Sequence, residues 1–89
     1  MRTDDAQQPI VDALRRAGVA VEVVGRPLDL LCAVRRPGGS WATLLLEVKD
    51  EDGTLTKAQA KFMAHWPGEY HIVRSPMEAL NACFGKAMA

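Results

Sequence analysis

Two apolar runs separated by a glycine-rich turn constrain the fold of this chain more than any other feature of its sequence. The runs occupy residues 28–34 and 41–49, and Pro37-Gly38-Gly39 lies between them. Apolar runs joined in this way predict an antiparallel β-hairpin. Because the strand ends remote from the turn then lie side by side, counting back from the turn places Asp29 opposite position 48, within a residue or so of Glu47.

The open end of this hairpin carries three charged side chains. Glu47 and Lys49 flank Val48, so in an extended strand both charged residues point to the same face. If Asp29 joins them, two carboxylates supply the oxygen ligands that a divalent cation prefers, with an ammonium group beside the same point. This pattern is typical of metal-dependent phosphodiester hydrolysis, in which the cation polarises the phosphoryl oxygen and activates water while the lysine stabilises developing charge.

A Glu-x-Lys pair is also found on solvated strand faces, where it has no catalytic role. Here the pair ends the run Leu44-Leu45-Leu46, which is typical of a buried strand. Buried charges are rare unless they are paired or bound to metal. The context therefore favours an active site over a solvated face.

Length and composition predict one domain with a thin core. A chain of 89 residues buries only about 60–65% of the surface that its unfolded form exposes, which is compatible with further burial in a dimer. The net charge of zero argues against a protein that coats nucleic acid. One face could still be basic, although scattered solubilising charges explain the sequence equally well. The acids Asp4, Asp5, Glu51 and Asp52 are grouped away from the basic residues Arg15, Arg16, Arg26, Arg35, Arg36, Lys49, Lys57 and Lys61.

The two cysteines, Cys32 and Cys83, show neither a CxxC motif nor histidines at ligand spacing. They are expected to be small buried hydrophobes, as free thiols are in a reducing compartment. The sequence shows no secretory signal and no apolar stretch long enough for a membrane span. An intracellular, cytoplasmic location without a membrane partner is therefore expected.

Helical periodicity predicts a first helix over residues 4–17, with an aspartate as N-cap and Gly18 at its end. Pro9 fits this helix only if it begins near Gln8, because proline is tolerated in the first turn. Residues 19–24 are largely apolar and β-branched, which predicts a first strand ahead of the hairpin.

The second half of the chain predicts two helices around one more strand. Thr56 is a candidate N-cap for the second helix, residues 70–73 form the strand, and Ser75 caps the third helix. The complete order αβββαβα predicts an α/β fold with a mixed central sheet flanked by helices. The expected inner faces are Ala58, Phe62 and Trp66 on the second helix and Met77, Leu80 and Phe84 on the third.

Five segments, taken in order, carry a family resemblance. They are Pro27-Leu28-Asp29-Leu30-Leu31; Leu45-Leu46-Glu47-Val48-Lys49-Asp50; Leu55-Thr56-Lys57-Ala58-Gln59, followed by Phe62 and Trp66; Ile72-Val73-Arg74-Ser75; and Glu78-Ala79-Leu80. Together they cover about Gln7 to Asn81 and resemble the VRR-NUC type of the PD-(D/E)xK nuclease superfamily, whose stand-alone members are common in phages and prophages. The ordered set is far more specific than the Glu-x-Lys pair alone.

The resemblance implies a restriction-endonuclease-like core in one nuclease domain over residues 1–89. It implies a Mg²⁺- or Mn²⁺-dependent DNA endonuclease, related in fold to archaeal Holliday junction resolvases. Members of this type are typically homodimers that act on branched DNA, in a bacterial or phage-infected cell.

The resemblance also implies roles for individual residues. Asp29 and Glu47 resemble the metal-binding carboxylates, and the backbone carbonyl of Val48 resembles a further metal ligand. Lys49 resembles the catalytic lysine. Gln59 resembles the glutamine on the helix that packs behind the site, and it is counted with the catalytic set.

The first helix departs from the family pattern. Where the family often has a Glu or Gln that reaches the metal or its waters, this chain has Gln8, or Gln7 if the register slips. A neutral amide removes one negative charge from the site and should weaken metal affinity. Gln8, Lys57 and Lys61 are the expected nucleic-acid-binding residues.

A second hypothesis is a nuclease-like domain that binds nucleic acid or a partner protein without cutting, which the neutral charge and Gln8 favour. The intact set of Asp29, Glu47 and Lys49 favours the enzyme instead. Other polar and aromatic residues are expected to have structural or surface roles. His65 is expected at the surface or partly packed, although it could touch DNA, and His71 is expected within a strand. Trp41 is expected in the core, although it could be an exposed stacking group or a dimer contact. Arg35 and Arg36 are expected at the hairpin tip, either solvated or contacting phosphate.

Overall fold

The structure, a computed structural model, describes residues 3–85, with side chains from residue 6 onward. The predicted order of elements and the α/β class with a mixed, helix-flanked sheet are confirmed. The aspartate expected to cap the first helix lies outside the described side chains. The elements are α1 (Thr3–Arg16), β1 (Ala20–Val23), β2 (Leu30–Arg35), β3 (Trp41–Val48), α2 (Lys57–His65), β4 (Tyr70–Val73) and α3 (Pro76–Phe84).

The sheet has the order β1-β2-β3-β4, with antiparallel pairing between the first three strands and parallel pairing between β3 and β4. The hairpin of β2 and β3 turns at Gly38 and Gly39, whose φ angles of 97° and 90° favour glycine. Leu30 pairs with Leu46, so Asp29 continues the ladder opposite Glu47. Counting from the turn was therefore correct to within one residue.

The core lies on both faces of the sheet because alternate residues of β3 point to opposite sides. Leu44, Leu46 and Val48 pack with α1 and α3, whereas Leu45 packs with Met63 of α2. Glu47 is two residues from Leu45 and shares its face. The layers are therefore α1 and α3, the sheet, and α2, with the predicted charged residues on the α2 face.

The first helix begins earlier than Pro9 was expected to allow. The helix predicted over residues 4–17 is confirmed as Thr3–Arg16, but Pro9 lies inside it, well beyond the first turn, so the condition that the helix begin near Gln8 does not hold. Pro9 is exposed, whereas Ile10, Val11 and Leu14 are buried against the sheet. Burial of this apolar face stabilises a helix that contains a proline on its solvent side.

The predicted inner faces of α2 and α3 were partly wrong. On α2 the buried residue is Met63, while Ala58 is exposed and Trp66 is 41% exposed. On α3 the residues buried deepest are Ala79 and Cys83, and Met77 is 64% exposed. Ala79 and Cys83 have small side chains that fit between α3 and the sheet. The prediction was wrong because it assigned the inner face of α3 to the largest apolar side chains. Phe62, Leu80 and Phe84 are half-buried, as their predicted positions require.

Within residues 3–85, none of the helices has the length and apolar character needed to cross a bilayer.

Candidate active site

Glu47 is the one buried charged residue in the described part of the chain, with 1% of its surface exposed. Its Oε2 accepts a hydrogen bond of 2.6 Å from the side-chain amide of Gln59, and the ammonium of Lys49 lies 3.2 Å from the same oxygen. The other oxygen, Oε1, is buried and has no hydrogen-bond partner among residues 6–85. One carboxylate oxygen is thus held by the protein and the other is left free to bind a ligand.

Asp29 is fixed beside Glu47 by the end of β3. Its Oδ2 accepts a 2.9 Å hydrogen bond from the backbone N–H of Val48, and its carbonyl accepts bonds from the N–H groups of Val24 and Gly25 at 2.9 and 3.1 Å. These three bonds hold both the backbone and the side chain of Asp29. The two carboxylates are therefore preorganised before any ligand binds.

Burial and charge both raise the pKa of Glu47. Desolvation of the carboxylate is the larger cause, and the negative charge of Asp29 adds to it. The ammonium of Lys49 and, to a smaller extent, the nearby backbone N–H of Asp29 oppose these effects on the pKa without cancelling them. A carboxylate in this environment is stabilised either by a proton on Glu47 or by a cation between the two carboxylates.

Gln59 connects Glu47 to the start of α2. The Thr56 hydroxyl accepts a 3.1 Å bond from the Gln59 N–H, and the Gln59 side-chain oxygen accepts a 3.0 Å bond from the Thr56 N–H. This reciprocal capping box leaves the amide NH₂ of Gln59 free to donate to Glu47. The helix cap thereby orients the group that holds the Glu47 oxygen.

The backbone around Lys49 is anchored by the neighbouring strand, a feature that the sequence did not predict. The Lys49 N–H donates a 3.1 Å bond to the carbonyl of Val73. The Arg74 guanidinium donates to the carbonyls of Asp50 and Gly53, in the loop that follows Lys49. Arg74 therefore fixes the segment between the lysine and α2.

The donor set fits a hard divalent cation of the Mg²⁺ class. Residues 6–85 contain no cluster of three or more His, Cys, Asp or Glu side chains arranged for a metal. Mg²⁺ does not require one, since it is commonly held by one or two carboxylates together with water and substrate phosphates. Asp29 and Glu47 supply two carboxylates, and the unpartnered Oε1 of Glu47 supplies an oxygen with no other role.

The residues expected to bind nucleic acid, Gln8, Lys57 and Lys61, form no contact with Asp29, Glu47 or Lys49 among the described hydrogen bonds and ion pairs. Gln8 is exposed and donates a 2.8 Å hydrogen bond to Asp12 on the same helix, and α1 packs on the sheet face opposite Glu47. Gln7 is half-buried on that helix. Lys57 and Lys61 are exposed on α2 and form no ion pair within the described side chains. They lie on the helix that also carries Gln59.

Arg36 has a structural role that the sequence did not reveal. Its guanidinium forms two hydrogen bonds with the Glu69 carboxylate, at 2.9 and 2.6 Å, and donates to the last carbonyls of α3, those of Ala82 and Cys83. His71, expected to be structural, bonds the same carboxylate at 2.8 Å. Arg36 is therefore neither a solvated turn residue nor a free phosphate ligand.

Trp41 does not pack in the core as expected, because 61% of its surface is exposed. It lies on the α2 face of the sheet under Arg35, whose guanidinium carbon is 5.3 Å from the ring centroid. His65 is exposed, as expected. Its Nδ1 lies 2.8 Å from the carbonyl of Lys61, and its ring meets Phe62 edge-on.

Comparisons of the chain with protein-family models, with curated proteins and with solved structures find no match. The nuclease resemblance therefore stays a prediction from the sequence. The functional proposal rests on the geometry of Asp29, Glu47, Lys49 and Gln59.

Proposed function

We propose that the protein is a Mg²⁺- or Mn²⁺-dependent DNA endonuclease with a restriction-endonuclease-like fold, acting on branched DNA. The observation that carries this proposal is the buried Glu47, which has one oxygen held by Gln59 and Lys49 and the other unpartnered beside Asp29. A carboxylate with a merely structural role would have both oxygens satisfied, because a buried unpaired acceptor costs about 1–3 kcal/mol.

Asp29 and Glu47 would hold the cation, with the carbonyl of Val48 as a further ligand. When bound, a divalent cation polarises the phosphoryl oxygen and lowers the pKa of water. Gln59 keeps Oε2 of Glu47 engaged, which leaves Oε1 available to the cation. Lys49 places a positive charge beside this point, where it neutralises charge developing on the phosphate or orients the attacking water.

The test incubates the purified chain with a synthetic four-way junction, a flap and a linear duplex, each with Mg²⁺, Mn²⁺ or chelator. We expect cleavage of the branched substrates with either cation and none with chelator. Asp29→Asn and Glu47→Gln, purified in parallel, should remove the activity and so exclude a contaminating nuclease. Cleavage that survives chelator, or that survives in both variants, would reject the assigned site.

A domain that binds nucleic acid or a partner protein without cutting is the competing proposal. It is favoured by the position of Gln8, which lies away from the site and adds no ligand there. Among the described residues the site then has two carboxylates, those of Asp29 and Glu47, to hold a cation. Junction binding without cleavage under either cation would decide for this alternative.

A further inference from the structure

The α2 face of the sheet also carries an open apolar groove of about 560 Å³ next to the candidate site. Few polar atoms line the groove, because aliphatic and aromatic side chains form most of its wall. We call this feature the aromatic groove. Its principal lining residues are Pro27, Leu31, Thr43, Leu45, Phe62 and Trp66.

The aromatic groove continues directly from the two carboxylates. Leu31 pairs with Leu45 in the row of residues that follows Asp29 and Glu47 on the same face. Two residues along a strand span about 7 Å, which is close to the length of one extended nucleotide. A strand whose phosphate lies at the carboxylates therefore places a neighbouring nucleotide at the groove.

An exposed aromatic surface forms one side of the groove. The rings of Phe62 and Trp66 are stacked, with centroids 5.2 Å apart and planes inclined by 25°. Trp66 is 41% exposed although it is a large apolar residue. Its indole lies so close to Gly68 that a Cβ there would be 2.7 Å from Nε1, so glycine permits this orientation. The arrangement presents a flat, fixed aromatic surface to solvent.

The charges around the groove suit a nucleic acid strand. Arg35 lies on the same sheet face at the hairpin tip, and Lys57 and Lys61 are exposed on α2. The carboxylate of Glu69, which lines the groove, is already bound by guanidinium and imidazole groups. Glu22, opposite Leu31 on β1, adds one exposed carboxylate at the margin.

A nucleobase fits these features better than a second copy of the chain. Two copies joined through the α2 side of the sheet would bring together the exposed cations on that side, Arg35, Lys57 and Lys61, and like charges facing each other disfavour association. A base offers an apolar ring face for stacking, and its strand offers phosphates for the lysines. A paired base in a duplex is stacked on both sides, so only an unpaired base can enter.

We propose that the aromatic groove binds an unpaired nucleobase of the strand held at Asp29 and Glu47, with the base stacked on Trp66. This assignment, which rests on the proposed function, makes DNA with unpaired nucleotides next to the cleaved bond the preferred substrate. Junctions and flaps that expose such nucleotides belong to this class, and continuous duplex does not.

The test measures binding in chelator, where cleavage does not interfere. Trp41→Phe leaves Trp66 as the single tryptophan, because the chain contains two. An oligothymidylate of about ten nucleotides should quench its fluorescence saturably, and a duplex of equal length should quench it much less. Measured with a labelled oligonucleotide, Trp66→Ala should weaken single-strand binding about tenfold.

Gly68→Ala tests the same surface without removing an aromatic ring, and it should weaken binding because the added methyl displaces the indole. Met77→Ala, which trims an apolar residue on α3 that is even more exposed than Trp66, is the matched control and should bind as the wild type does. Circular dichroism and thermal unfolding establish that each variant is folded.

Unchanged single-strand binding in both Trp66→Ala and Gly68→Ala would overturn the assignment. A wild-type dimer that becomes monomeric on Trp66→Ala would assign the groove to a second copy and overturn it as well. If the protein cuts DNA but does not bind unpaired bases, the proposed function stands and the assignment of the groove is wrong. If it binds the single strand through Trp66 and cuts no DNA, the assignment of the groove stands and the proposed nuclease activity is wrong.

Discussion

Glu47 combines burial with an incomplete set of partners, and this makes its protonation state a measurable property of the fold. Its raised pKa means that the folded chain holds the proton more tightly than the unfolded chain does. The free energy of unfolding attributable to Glu47 therefore falls as pH rises from the ordinary carboxyl range through the raised pKa. A divalent cation should oppose this loss, since it binds the ionised form.

Glu47→Gln should remove this pH dependence, because the amide copies the neutral acid. Urea unfolding of wild type and variant in chelator, between about pH 4 and pH 8, gives the difference that isolates Glu47 from other titrating groups. We expect the variant to gain stability relative to wild type as pH rises. Mg²⁺ should stabilise wild type more than the variant at neutral pH. A wild-type chain that gains stability over the variant across this range would contradict the assigned pKa direction.

Lys49 is expected to act on the transition state more than on DNA binding. Lys49→Ala should lower the cleavage rate by at least about a hundredfold, because it removes a charge placed beside the reacting phosphate. Junction affinity, measured in chelator, should change little. Lys57→Ala is the matched control on α2, with the opposite expectation of weaker binding and a smaller loss of rate per bound substrate. Equal losses of binding and rate in Lys49→Ala would count against its catalytic role.

Residues on the hairpin could be placed from the sequence because two simple rules determine their positions. Strand alternation fixes the shared face of Glu47 and Lys49, and counting from the glycine turn fixes Asp29 opposite them. The exposure of Trp41 could not be predicted in the same way. It depends on how far the neighbouring helix covers the sheet, and alternation states only which face a residue occupies.

The side chain of Gln59 belongs both to the N-terminal cap of α2 and to the candidate site. Thr56→Ala removes the hydroxyl that caps α2 and should destabilise the chain by about 1 kcal/mol. Gln59→Ala removes the bond to Glu47 and the side-chain half of the capping box, but the Thr56 hydroxyl can still accept from the backbone N–H at position 59, so this variant should lower metal-dependent cleavage more than Thr56→Ala does. Urea unfolding and cleavage rates, measured on both variants, separate these effects. An equal loss of cleavage in both variants would show that Gln59 acts through helix stability alone.

Helix ends were more predictable than helix orientations. Thr56 and Ser75 are N-caps as the sequence indicated, because a capping side chain acts on N–H groups within its own turn. The rotation of α3 depends instead on contacts between distant parts of the chain. Arg36 at the hairpin tip binds the last carbonyls of α3, and pairing across such a sequence separation leaves no local pattern to detect.

For the whole molecule, the distribution of exposed apolar side chains bears on assembly. Apolar positions of α1 are one candidate dimer surface, but Ile10, Val11 and Leu14 are buried in the core. The edge strand β1 is the other: Val19, which precedes it, is buried, whereas Val23 is 55% exposed at the edge of the sheet. An edge strand with free backbone groups readily pairs with its symmetry mate.

We therefore predict a homodimer joined antiparallel along β1, which would present two sites to a symmetric junction. Sedimentation at micromolar concentration should report twice the mass of the chain, and Val23→Lys should return the monomer because a charge on an edge strand opposes pairing. Ile72→Lys makes the same change on β4, the other edge strand, where Ile72 is 39% exposed, and should leave the dimer intact. Dissociation by Ile72→Lys alone would move the interface to β4. A wild-type chain that sediments as a monomer and still cuts both strands of a junction symmetrically would rule out the dimer, because one site would then have cut the two phosphates in turn.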